Sequence, residues 1–202
     1  SNLIHDDGFD VLVPKDYATS SRYYPVIYFV GNFDDATKAT ISSEVISQSE
    51  VNQIPPIISV FIHLKSDSPI DSIIENVKKK YRARDGHRFQ SIIGYQEGGA
   101  KAFEHVVKNA DFTSCAIYDA PIAIAVFNDL SENQIKALNR TWFFVSTTDK
   151  SENYKSNGIT HITFKDKDIY HEDRVDEGQV DIDWFLKQLP SALDFSQKKI
   201  HY

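Results

Sequence analysis

Short runs rich in β-branched and aromatic residues punctuate the chain at residues 9–13, 26–30, 57–63, 91–95, 115–118, 142–146 and 160–164. Several are apolar throughout, the pattern of strands covered on both faces. Between them the apolar spacing becomes helical. Ile70, Ile73, Ile74, Val77 and Tyr81 form one stripe, with Ser68 and Pro69 placed as cap and first-turn proline. Ala100, Phe103, Val106 and Val107 form a second stripe after Gly98 and Gly99, and Val180, Trp184, Phe185 and Leu189 a third before Pro190. Strands alternating with amphipathic helices predict an α/β fold, a mostly parallel sheet with helices on both faces. No repeat, low-complexity tract or linker interrupts the pattern. The expectation is one domain over 1–202, with a core at about 9–189 and a loosely attached polar tail at 191–202.

At 202 residues and 41% hydrophobic content, the chain can bury one sizeable core. Its formal net charge of -7 argues against a nucleic-acid partner, which requires a basic face to neutralise phosphates. The local basic run of Lys78, Lys79, Lys80, Arg82 and Arg84 reads as a solvated helix end. Cys115 is the single cysteine and lies in an apolar run, so it reads as a buried, inert thiol. Without a His/Cys cluster, neither a metal nor a cofactor is expected. No stretch reaches the roughly 20 apolar residues of a membrane span, and no signal-like segment opens the chain. Lacking methionine, the sequence reads as a trimmed or mature segment with Ser1 and Asn2 as a cloning remnant, so compartment is not read from it.

The informative stretch is Ile92-Ile93-Gly94-Tyr95-Gln96-Glu97-Gly98-Gly99-Ala100, a strand, a glycine-flanked turn and a helix. Taken alone it is equally a tight strand-to-helix turn. It also has the layout of a nucleophile elbow, G-x-S-x-G, whose glycines let strand and helix crowd together. Gly94 and Gly98 hold the flanking positions and Gln96 stands where the nucleophile would be. A glutamine amide is a very poor nucleophile, because its nitrogen lone pair is delocalised into the carbonyl.

Val13-Pro14-Lys15-Asp16-Tyr17, then Tyr24-Pro25-Val26-Ile27-Tyr28-Phe29-Val30-Gly31, then residues 57–61, Tyr81-Arg82, the elbow, 112–121 and 142–149, together resemble the putative-esterase family of the α/β-hydrolases. That family includes feruloyl and acetyl-xylan esterases, enterochelin esterases, S-formylglutathione hydrolases and mycolyltransferases, and the resemblance spans about 9–189. It implies an α/β-hydrolase fold with the serine replaced by Gln96. It implies an oxyanion region at Gly31, Asn32 and the backbone N–H of Glu97, where the family's histidine is missing from the Gly31-Asn32-Phe33 loop. The acid position aligns with Asp149, with Asp119 as runner-up. The histidine, expected in a loop after the last strand, aligns with His171; His161 and His63 fit less well, and Ser146 is a poor substitute nucleophile.

The reading that follows is an esterase homologue without esterase catalysis, serving as a binding or interaction domain, with carbohydrate or a protein as partner. Tyr95, Phe33, Asn32, Gln96 and His171 would line the old pocket. In the alternative, chemistry has relocated to Glu97, Asp149 and His171, which requires Glu97 to face His171. The family's polysaccharide esterases imply an extracellular bacterial setting.

Overall fold

The computed structural model describes residues 2–200. Its strands are β1 (Ile4–His5), β2 (Phe9–Leu12), β3 (Val26–Gly31), β4 (Ile58–His63), β5 (Gln90–Tyr95), β6 (Ser114–Tyr118), β7 (Trp142–Thr148) and β8 (His171–Asp176). They form one sheet in the order β1-β2-β4-β3-β5-β6-β7-β8. β2 pairs antiparallel with β1 and β4, and every pairing from β4 through β8 is parallel.

The helices are α1 (Asp35–Glu50), α2 (Ile70–Lys80), α3 (Glu97–Asn109), α4 (Glu132–Ala137), α5 (Tyr154–Asp166) and α6 (Ile182–Lys199). Side-chain alternation along the strands divides the core into two layers. Val26, Tyr28 and Val30 pack with residues of α2, α3 and α5, whereas Ile27 and Phe29 pack with α1 and α6. None of the described helices is long and apolar enough to cross a membrane.

The structure corrects several expectations. Residues 160–164 are helical, within α5, where Asn157, Thr160 and Phe164 turn inward at helical spacing. The last strand is β8, whose sequence His-Glu-Asp-Arg-Val-Asp has no apolar run and is largely exposed. It is held by backbone pairing to β7, from Phe143 with His171 to Thr148 with Asp176. A charged edge strand of this kind resists further strand pairing. The part of the tail within the described residues is not loose: α6 runs through Pro190 and buries Ala192, Leu193, Phe195 and Ser196, while residues 201–202 lie outside the described residues. Pro69, not Ser68, is the cap of α2, and no side chain hydrogen-bonds that end.

The basic run at the end of α2 is structural as well as solvated. Lys78 pairs with Asp85 at 2.7 Å. Arg82 donates to the carbonyls of Tyr17, Ser20 and Arg22 and stacks on Tyr17. Cys115 is fully buried, and burial pushes its thiol well above the ordinary range.

Candidate functional site at the end of the central strands

β4 lies on one side of β3 and β5 on the other, so the strand order reverses between β3 and β5. Ligand sites in open α/β sheets form outside the carboxyl ends of strands at such a switch point. Gln96 stands there, between β5 and α3, with φ 52° and ψ -122°. This is a backbone state that costs a non-glycine residue on the order of 1–3 kcal/mol and persists only where its surroundings enforce it. The surroundings are glycine contacts. A Cβ on Gly98 would lie 2.1 Å from the Val30 carbonyl oxygen, and one on Gly94 2.5 Å from the Gly99 Cα. A Cβ on Gly99 would meet that of Ala120 at 2.9 Å. All three glycines thus let α3 start directly against the sheet.

Gln96 is exposed, and its Nε2 donates to Asp119 Oδ2 at 3.2 Å. Asp119 follows β6, is itself at φ 52°, and is buried. Its other carboxylate oxygen accepts from Thr147 Oγ1 at 2.8 Å and from the Ser151 hydroxyl. Asn153 Nδ2 donates to its carbonyl at 3.1 Å. The runner-up acid is therefore the residue that the elbow side chain touches. Asp149 follows β7 and is exposed; its N–H donates to the Asp176 carbonyl at 2.9 Å and its Oδ1 accepts from Gly178 N–H at 2.9 Å. Asp149 thus holds the loop that follows β8.

His171 is not in that loop. It is the first residue of β8, so about 17 Å of strand separates it from the carboxyl edge. His171 Nδ1 lies 2.8 Å from the Ile169 carbonyl and its Nε2 2.8 Å from His161 Nδ1. The displacement arises because the final strand is β8 and residues 160–164 are helical. The loop after β8 reads Glu177-Gly178-Gln179-Val180-Asp181 and contains no histidine. The sequence signal for it was the glycine after the charged run, since Gly178 at φ 107° makes the turn. His63 ends β4 beside Asp10, and Ser146 is buried within β7.

Tyr95 and Phe33, expected to line a ligand pocket, are instead core residues, 7% and 8% exposed. Both stack with Phe185 of α6, at 4.7 and 5.6 Å between ring centroids. Burial, reinforced by Asp119 and Asp181, pushes the Tyr95 hydroxyl up to about 12. The Phe33 ring lies directly against Gly31, occupying the space a Cβ there would need. Asn32 between them is exposed. Glu97 is exposed too, and borders a cleft of about 700 Å3 with Leu64, Lys101, Glu104, Val126 and Asp129. That cleft includes neither Asp149 nor His171, and Glu97 does not meet His171.

A mostly parallel eight-stranded sheet with helices on both faces and a strained turn after β5 defines the α/β-hydrolase fold. Solved structures similar to it include esterases and serine hydrolases. A ferulic acid esterase superposes with a TM-score of 0.83 at 16% identity, covering 95% of this chain and 92% of that one. S-formylglutathione hydrolase FrmB from Staphylococcus aureus gives 0.73 at 10% identity, covering 96% of each chain. The enterobactin esterase FES from Shigella flexneri gives 0.72 at 11% identity, with 94% of this chain matching 55% of that one. At these identities the likeness is one of fold. No family model matches the chain, and no curated protein matches it in sequence.

Proposed function

We propose that this chain is an esterase-fold domain that binds or docks without serine-esterase catalysis. The observation that carries this reading is Gln96 on the strained turn after β5, hydrogen-bonded to Asp119. Acyl transfer by the triad route needs a hydroxyl or thiol there and a histidine within hydrogen-bond reach. Gln96 offers neither lone pair nor leaving proton of that kind, and the loop after β8 supplies no imidazole. Burial of Phe33 and Tyr95 supports an interaction role over a ligand held in the old pocket. A carbohydrate partner, implied by the family resemblance of the sequence, would have to use the open cleft bordered by Glu97.

The test is labelling of the purified chain with a fluorophosphonate probe together with hydrolysis of p-nitrophenyl acetate. The expected result is no covalent adduct and no turnover above buffer. An adduct on any serine, with turnover lost when that serine becomes alanine, would overturn the reading.

A further inference from the structure

The amino-terminal edge of the sheet, opposite the elbow, carries a hollow of about 470 Å3. It is lined by Arg88, Arg140, Lys198 and Lys199, with His87 and Trp142 completing the wall. No aspartate or glutamate is among its lining residues, although the chain as a whole has a formal net charge of -7. The placement follows from the fold. Arg88 lies in the turn before β5, Arg140 precedes β7, Trp142 opens β7, and the last turn of α6 brings Lys198 and Lys199 over them.

Among the described residues, little neutralises these cations. Arg88 has no ion-pair partner among the described residues, and Arg140 Nε donates to the Ala110 carbonyl at 3.0 Å rather than to a carboxylate. Lys198 pairs with Asp194 at 2.7 Å, both well exposed, a contact that solvent screens strongly. The Lys199 ammonium sits 3.8 Å from the centroid of the Trp142 ring. Asp111, in the adjoining hollow, is held by His105 at 2.7 Å. Guanidinium forks and ammonium groups converging in a concave site focus positive potential and match the geometry of phosphate oxygens.

We propose that this hollow is a binding site for a small soluble polyphosphate, a diphosphate group or larger. Four cations in one concavity exceed what a single phosphate neutralises, and the volume suits a small ligand. The site lies at the far end of the strands from Gln96, so it stands or falls independently of the reading of the elbow.

Trp142 is a built-in reporter, because an anion that draws Lys199 off its ring changes its emission. The other tryptophan, Trp184, is held by Asp176 at the opposite edge. The experiment is titration of the chain with inorganic pyrophosphate at constant ionic strength, read by tryptophan fluorescence and calorimetry. We expect saturable binding, weakened about tenfold or more in both Arg88→Glu and Lys199→Glu, equivalent to at least ~1.4 kcal/mol per variant. The exposed Lys65→Glu, with the same charge change outside the hollow, should shift affinity less than about twofold. No saturation by about 10 mM pyrophosphate, or equal weakening by Lys65→Glu, would overturn the site. Competition by anionic phospholipid vesicles at matched phosphate would overturn the soluble ligand and assign a lipid headgroup instead.

Discussion

The Gln96 amide donates to the Asp119 carboxylate across 3.2 Å, joining the residue on the turn after β5 to the residue that follows β6. Both have positive φ, so two strained backbone positions at adjacent strand ends brace one another. The Asp119 carboxylate is also occupied by Thr147 and Ser151.

Restoring the hydroxyl alone should therefore not restore hydrolysis. Gln96→Ser is expected to cleave p-nitrophenyl acetate no faster than the parent, because no imidazole of the described residues hydrogen-bonds Gln96 and Phe33 fills the space over Gly31. Asp149 already contacts Gly178, next to Gln179. The double variant Gln96→Ser, Gln179→His should accordingly give a slow acetyl-enzyme burst, visible by mass spectrometry. A fully active single variant would show that some other group serves as base.

Asp119→Ala should lower stability by about 3 kcal/mol in urea denaturation, since the buried Thr147 hydroxyl loses its acceptor and alanine takes up a left-handed position. Asp119→Asn should recover at least half of that loss. Asparagine keeps an acceptor oxygen and tolerates positive φ. Equal losses for the two variants would mean the carboxylate charge, rather than the hydrogen bonds, dominates.

Two glycine-to-alanine changes should move stability in opposite directions. Gly98→Ala forces a Cβ within 2.1 Å of the Val30 oxygen and should cost about 3 kcal/mol or prevent folding. Gly158, inside α5, has open space around it, and Gly158→Ala should gain about 0.5–1 kcal/mol from helix propensity. Thermal midpoints of the two variants decide this.

Acid should weaken the sheet at β2, one strand in from its edge. Burial alone would raise the Asp10 carboxyl, but hydrogen bonds from Lys38, His5 and His63 outweigh it and bring the group down to about 2. A folded value below the ordinary one near 4 means the ionised form is favoured by folding. That stability, about 2 kcal/mol, is present above about pH 4 and is lost as pH falls towards 2. Asp10→Asn should be less stable than the parent at pH 7, with the gap shrinking between pH 4 and 2. A gap unchanged across that window would assign the loss to packing rather than charge.

Much of the fold was legible because its central strands are buried on both faces. β3, β4 and β5 read as continuous apolar runs, and the stripes of α2 and α3 have strong helical spacing. The glycines around Gln96 marked the turn, since only a residue without Cβ fits where α3 meets the sheet. By itself the sequence determined the α/β class, the turn, and the amide at its centre.

What tertiary structure decided lies at the edges and in the pairing of distant residues. Ile159, Thr160, Ile162 and Thr163 have strand-forming side chains, yet packing of Asn157, Thr160 and Phe164 against the sheet made them helical. β8 carries no apolar signal because its stability comes from backbone bonds to β7. That shift of the final strand moved His171 to the wrong end of the sheet. Whether Phe33 and Tyr95 faced solvent or core depended on Phe185, distant from both in the chain and brought over them by α6. Local pattern encodes which residues prefer burial; only the packed chain determines what covers them.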